Sequence, residues 1–461
     1  MAAGEGTRMR SSLPKMLHPV CGRPMVAWPI LAAREAGAGR VAAIVSPERD
    51  ISVGLPEGVE TVLQHDSDGT GGALRAALDL IREADTVIVL SGDHPVISAD
   101  VIAGLLSCHR ETGAAATVMT AVLDDPGTYG RIVRDDAGDL ARVAETKAPG
   151  DATAEELSIR EVNAGTYAFA AGPLADALEQ IGNDNAQGEY YLGDVLPLMR
   201  DAGLRVAAHT APDDTVMLGV NTRVELAQAE AEVRTRILND HMLAGVTIVD
   251  PSSTWIDADV AIGPDARIEP GTTLRGATEV GTGSTVGPLT TLIDTKVGQQ
   301  VTILHAYLAD CEVLDDCTIG PFAYLRPGAL LKRGAKAGTF VEIKNSEIGE
   351  GAKVPHLSYV GDAEVGAGSN LGAGTITANY DGFRKHRTVI GDHVHLGVDT
   401  MLIAPVEVGD AAYTGAGAVI KRDVPKGALA VSDNDQRNIE GYADERSSAE
   451  RAAPDTGEEG S

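Results

Sequence analysis

Aliphatic residues recur every six positions at Ile256, Ile262, Ile268, Leu274, Val280, Val286 and Leu292, and a second run holds Ile390, Leu396, Leu402, Val408, Thr414 and Ile420. Glycine directly follows the inward position at Gly263, Gly281, Gly287, Gly391, Gly397, Gly409 and Gly415, among others. One short strand per six residues turns the chain through a third of a coil. The aliphatic side chain then points inward and stacks on its equivalent three repeats later, while small residues permit the tight corners. A flexible linker would lack the inward aliphatic, and an antiparallel sandwich would alternate with period two over longer strands. The period therefore predicts a left-handed parallel β-helix over residues 245–442. Thr377 to Thr388 breaks the period and must leave the prism as a loop, the kind of interruption where binding residues concentrate. The tail 443–461 carries no periodicity and is expected to be disordered.

The first half of the chain reads differently. Val41 to Val45, Val87 to Leu90, Ala116 to Thr120 and Thr166 to Phe169 are β-branched or apolar runs. Helix-period segments, Met25 to Glu35 and Gly72 to Arg82, lie between them. That alternation predicts an α/β Rossmann-like domain over 1–222 with a mostly parallel sheet. Leu226, Val233 and Ile237 fall at helical spacing within 223–244, which reads as a linker helix with one packed face.

Acidic residues outnumber basic ones, 67 to 38, for a net charge of -29. Such a surface is unsuited to wrapping nucleic acid, although a small anion held by local cations fits. Cys21, Cys108, Cys311 and Cys317 are sparse and read as reduced thiols. No run of some 18 apolar residues and no signal segment is present, so a cytoplasmic protein without membrane insertion is expected.

The N-terminus reads Ala2-Ala3-Gly4-Glu-Gly6-Thr-Arg8-Met, followed by Leu13-Pro-Lys15. Glycines let backbone N–H groups approach phosphate oxygens, and Arg8 and Lys15 supply cations against a triphosphate. This run resembles the signature of the sugar-nucleotide pyrophosphorylases, and further matches follow in order. Gln64 with Gly69 and Thr70 resembles the base-reading segment of uridyl-transferring members. Leu90-Ser91-Gly92-Asp93 ends a predicted strand, where ligands of open α/β sheets bind. The resemblance implies that Asp93 and Asn221 hold Mg²⁺, a hard cation suited to oxygen ligands. It assigns sugar and nucleotide contacts to Gly130, Glu145, Asn163 and the stretch Asn185 to Tyr191. The implied reaction is attack of a sugar-1-phosphate oxygen on the α-phosphorus of UTP, with Arg8 and Lys15 offsetting the developing charge.

The repeat region carries motifs beyond its period: Ile319 to Arg326, Val341 to Lys344, His356 to Asp362, and Asn370 to Asp381. Together with the front half they resemble the bacterial bifunctional N-acetylglucosamine-1-phosphate uridyltransferase/glucosamine-1-phosphate acetyltransferase family over residues 2 to about 442. The resemblance implies acetyl transfer from acetyl-CoA to glucosamine-1-phosphate, followed by uridylyl transfer from UTP, feeding peptidoglycan and other cell-envelope synthesis. His356 matches the base that takes the amine proton. Arg326, Lys344, Tyr359, Asn370 and Lys385 match the sugar-phosphate pocket. Ala373, Asn379, Tyr380, Val398 and Ala416 match acetyl-CoA positions. A homotrimer is implied, with acetyl sites drawing on neighbouring subunits. The alternative is a monofunctional sugar-1-phosphate nucleotidylyltransferase whose β-helix only trimerises.

Four departures from the family pattern carry expectations of their own. Met1 stands where the family has the last residue of an apolar first strand. Gly72 replaces the usual histidine, which should alter packing in the nucleotide pocket. Val398 replaces a small hydroxyl residue, removing a hydrogen bond of about 0.5–1.5 kcal/mol. Asp433 replaces a basic residue, so weaker acetyl-CoA binding is expected.

Overall fold

The computed structural model describes residues 1–461 except 5, 137, 147–151, 186–187, 433–435, 437 and 444–461. Ala186 and Gln187 of the predicted sugar-contact stretch, Asp433 and nearly all of the predicted tail thus lie outside the described residues. Two compact units divide the chain, Met1–Thr295 and Lys296 onward. The sequence period changes earlier, at about residue 245, but the first coils pack with the α/β domain. Ala258 N donates to Cys21 O at 2.9 Å, Arg23 pairs with Asp259 at 2.6 Å, and the Arg234 guanidinium lies 4.0 Å from the Trp255 ring centre.

The predicted strands form at Ala42–Val45, Thr86–Val89, Ala116–Val122 and Glu161–Ala170. The sheet is mixed rather than mostly parallel. Glu161–Ala170 runs antiparallel to both Thr86–Val89 and Ala116–Val122, while Val206–Thr210 lies parallel to Ala116–Val122. Apolar runs report burial on both faces and say nothing of direction. The hairpin Arg131–Arg134 with Leu140–Ala144 interrupts the βαβ rhythm and brings the chain back antiparallel. Phe169, Leu174, Leu178 and Leu196 are fully buried beneath it. Among the described strands Ala42–Val45 is laddered with Glu60–Leu63, as a separate two-stranded sheet. An apolar cavity of about 440 Å³, lined by Ile44, Leu74, Ile81 and Val89, opens beside Met1.

The predicted helix over 72–82 begins earlier and is broken at Ala77, giving Gly69–Ala76 and Leu78–Arg82. Arg223–Leu243 is a continuous helix opened by a Thr222/Glu225 capping box, which satisfies two orphan N–H groups. Its Ala229 and Val233 pack with Val20, Met25 and Val220.

The repeats form the expected coils. In the first unit Ile256 lies in register with Leu274, and Leu274 with Leu292, a displacement of three repeats. All three are buried, as are Ile268, Val280 and Val286; Ile262 alone in that run is half-buried. In the second unit Leu325, Ile343 and Val360 form one such stack, each fully buried. Every member of the run from Ile390 to Ile420 is buried, Thr414 included, its hydroxyl bonded to Gly397 N at 2.9 Å. None of the four cysteines is joined in a disulfide. Among the described residues no helix is long and apolar enough to cross a membrane.

Candidate active sites

In the first unit the glycine loop bends back on itself. Gly6 takes φ +63°, and a Cβ there would lie 2.5 Å from the Lys15 Cβ, so the turn that seats Lys15 requires glycine. Lys15 is buried, and its Nζ lies 2.5 Å from Asp93 Oδ2 and 2.9 Å from Asn221 Oδ1. The structure thereby joins Lys15 to two residues that stand 78 and 206 positions away in the chain. Ser91 Oγ donates to the other carboxylate oxygen at 2.6 Å. Burial presses on the Asp93 carboxyl, but the charges of His94 and Lys15 and the hydrogen bonds from Lys15 and Ser91 outweigh it and hold the group below the usual carboxylate range. Asn221 is itself oriented by its backbone N–H, which donates to Glu225 Oε2 at 2.8 Å, so the capping box of the following helix also sets the site.

The remaining predicted residues of this unit fall into smaller groups of their own. Ala2 N donates to Ile44 O and Gly92 N to Met1 O, both at 2.8 Å, so the loop start and the Ser91–Asp93 turn are bound through neighbouring backbone. Ala3 is half-buried and Gly4 exposed. Arg8 is exposed and forms no ion pair among the described residues. Gln64 is buried and donates to Gly69 O at 3.2 Å; Thr70 Oγ1 accepts from Leu192 N at 3.0 Å. Gly130 O accepts from Asn163 N at 2.9 Å, and Asn163 Nδ2 donates to Tyr167 Oη at 2.6 Å. Glu145 follows directly on the strand Leu140–Ala144.

Sequence reading missed His94 here. Its Nε2 lies 3.7 Å from Asp93 Oδ1, its Nδ1 is buried without a partner, and burial lowers its pKa. A Cβ at Gly219 would fall 2.6 Å from His94 Nε2, so the glycine before Val220-Asn221 makes room for the ring. A histidine adjoining the strand-end aspartate was the available signal.

The second unit assembles two groups on successive coils. Asn345, Asp362 and Asn379 occupy one corner: Asn345 Nδ2 donates to Asp362 Oδ1 at 2.7 Å, and Asn379 Nδ2 donates to Asp362 Oδ2. Lys344 Nζ lies 3.5 Å from the same carboxylate, and Asn379 Nδ2 also reaches Tyr359 Oη at 3.5 Å. Lys344 is held above the ordinary lysine value by its hydrogen bond with Lys385 and then by Asp362; Lys385 is pushed below it by that hydrogen bond and by the Lys344 charge. Burial opposes ionisation of Asp362, but hydrogen bonds from Asn345 and Asn379 and the Lys344 charge win and lower its pKa. Arg326 pairs with Glu342 at 2.7 Å, the contact that chiefly holds its guanidinium above the ordinary value, and its own charge helps to lower Lys385. The sequence motif contains Asp362 but gives it no role, because nothing local indicates that two amides and a lysine converge on it.

The loop that breaks the period closes on Asp381. Its carboxyl, lowered to about 2, accepts from the Arg384 backbone N–H, from His386 and from the Phe383 backbone N–H. Tyr380 bridges antiparallel to Lys385, which turns that lysine back toward Lys344.

His356, Ala373, Val398 and Ala416 form a single file at one corner, one residue per coil. Gly374 N donates to His356 O at 3.2 Å, Asp399 N to Ala373 O at 2.7 Å, and Gly417 N to Val398 O at 2.8 Å. All but half-buried Ala373 are exposed. Asn370 stands in the neighbouring file, bridged to Lys353 and His395. Coil spacing of about 4.8 Å makes the His356 file a straight outward rail.

Fold and sites together define a nucleotidyltransferase domain followed by a hexapeptide-repeat β-helix. The MobA-like NTP transferase domain matches residues 1–189. The bifunctional protein GlmU of Kineococcus radiotolerans is 48% identical over 96% of this chain and 90% of its own length. Its counterparts from Corynebacterium efficiens (46%, over 98% and 94%) and Mycobacterium bovis (45%, over 98% and 93%) are similar to the same extent. The chain belongs to the bifunctional GlmU family.

Proposed function

We propose that the chain makes UDP-N-acetylglucosamine in two transfers, one in each compact unit. In the second unit the neutral amine of glucosamine-1-phosphate attacks the acetyl-CoA thioester carbonyl, His356 takes the amine proton, and the coenzyme leaves as its thiolate. Lys344, Lys385 and Arg326 hold the sugar phosphate, with Tyr359 and Asn370 against the sugar. The observation that carries this reading is the file of His356, Ala373, Val398 and Ala416. A base at one end of a largely exposed rail spanning four coils suits an extended acyl carrier laid along the helix axis. Asn379 and Tyr380 flank the carrier's reactive end.

In the first unit an oxygen of N-acetylglucosamine-1-phosphate attacks the α-phosphorus of UTP and pyrophosphate leaves. Arg8 and Lys15 offset the charge gathering on the phosphoryl oxygens. Gln64, Gly69 and Thr70 take the base; Gly130, Glu145 and Asn163 take the sugar. The Asp93 and Asn221 oxygens converge on one cationic point, now the Lys15 ammonium, and this donor set fits Mg²⁺. Bound there, the ion supplies charge neutralisation across the substrate phosphates.

The protein works as a homotrimer. Phe322 and Phe340 are stacked 5.2 Å apart, are 49% and 55% exposed, and hold φ values of +58° and +57°; Leu357 continues the file at 63% exposed. An apolar file held in the left-handed region and left in water calls for cover by a second copy.

His356→Ala tests the assignment of the two transfers. It is expected to abolish acetyl transfer and leave pyrophosphate release intact; native protein without any acetyl transfer overturns the bifunctional reading.

A further inference from the structure

Gln64 follows the strand Glu60–Leu63, and its backbone N–H donates to Val45 O at 2.9 Å. Its side chain is 9% exposed, so the amide must be paired or face a ligand. The Nε2 atom donates to Asp68 Oδ1 at 2.9 Å and to Gly69 O at 3.2 Å. A carboxylate and a carbonyl oxygen only accept, so the amide face that meets them is the NH₂, and both of its protons are used. The acceptor Oε1 is what Gln64 has left to offer, and no donor among the described residues binds it.

Asp68 gives up a more usual role to make this bond. It is the N-cap residue of Gly69–Ala76, yet its carboxylate caps no helix N–H. Its backbone is fixed instead by Tyr190: Tyr190 N donates to Asp68 O, and Gly71 N to Tyr190 O, both at 2.7 Å. Gly69 at φ +97° would bring a Cβ within 2.6 Å of Tyr190 O, so this clasp admits only glycine there. The Asp68 carboxylate then lies in the space of a side chain at position 72. A Cβ on Gly72 would lie 1.9 Å from Asp68 Oδ1 and 2.2 Å from its Cγ. The glycine that departs from the family pattern is therefore the vacancy that lets Asp68 reach Gln64.

We propose that Asp68, seated in the space left by Gly72, locks the Gln64 amide with Oε1 toward the base and so sets the choice of uracil over cytosine. Uracil presents an imide N3–H that Oε1 accepts. Cytosine presents a bare N3 lone pair, which would face a second acceptor across a buried contact. Asp68 is a positioning residue that acts through Gln64, and its assignment rests on the reading of Gln64 as the base-reading residue.

The test is the ratio of kcat/KM for UTP to that for CTP in the full chain, together with equilibrium titration of each nucleotide. Asp68→Asn keeps the shape but can turn either an oxygen or an NH₂ toward Gln64, which leaves the longer bond to Gly69 O as the one contact that still fixes the amide face. The ratio is expected to fall about tenfold or more, with KM carrying the change. Gly72→Ala places a Cβ on the carboxylate and is expected to shift the ratio the same way while the protein keeps its native circular dichroism. A ratio within twofold of native in both variants, or an equal loss with both nucleotides, overturns the role of Asp68 and leaves the base reading standing. Native protein that does not prefer UTP overturns the base reading itself.

Discussion

The Lys15 ammonium lies 2.5 Å from Asp93 Oδ2 inside the first unit, with both side chains largely shielded from solvent. The lysine comes from the glycine loop and the aspartate from the turn after a sheet strand, so one contact ties the proposed phosphate loop to the proposed metal oxygens. Lys15→Ala is expected to lower kcat/KM for uridylyl transfer by about 10²-fold or more, the scale of removing a preorganised charge from a reacting phosphoryl group. Acetyl transfer, in the other unit, should stay near native. A pyrophosphate-release assay and a thiol-release assay on one preparation separate the two effects.

Gly6→Ala should imitate that loss without touching a charged group. The substitution forces a Cβ to 2.5 Å from the Lys15 Cβ at φ +63°, a strain of about 1–3 kcal/mol that the loop relieves by moving Lys15. The expected readout is a higher KM for UTP with an unchanged KM for acetyl-CoA.

Asp362 joins Asn345, Asn379 and Lys344, so Asp362→Asn is expected to raise KM for glucosamine-1-phosphate and to lower stability. Its folded pKa lies below the ordinary carboxylate value. The stabilisation it provides is thus fully present above the unfolded value of about 3.9 and is lost as pH falls through the depressed folded value. The gap in Tm between native protein and variant should be widest near neutrality and close in strong acid.

Ile343→Ala removes the middle of the Leu325, Ile343, Val360 stack and is expected to cost about 2–5 kcal/mol, read from urea unfolding. Lys344 follows it directly in the same strand, so acetyl transfer should fall along with stability.

Phe340→Asp places a charge in the exposed aromatic file. Native protein is expected to run as a trimer in light scattering and the variant as a smaller species; an unchanged mass would remove this file from the interface.

Much of this was legible in one dimension because its causes are local or periodic. The six-residue spacing settles which side chains face inward, since a coil cannot bury a different residue without losing its corners. The glycine loop, Lys15, Asp93 and His356 were readable as residue types in motifs. Strand direction was not, because the apolar run of Glu161–Ala170 looks the same from either end. Nor was the role of Asp68, Asp362 or His94, since each depends on partners that arrive from other turns or strands.

The hexad and the ordered motifs alone decide that the chain is an α/β domain followed by a β-helix, because inward packing and tight turns act within a few residues of the chain. Only tertiary contact decides what each polar group does. Asp68 becomes a clamp on Gln64 because Gly72 leaves a vacancy beside it, and Lys15 meets Asp93 and Asn221 because the folded sheet brings distant segments to one edge. Hydrogen bonds and ion pairs act over about 3 Å in space, and sequence separation carries no measure of that distance.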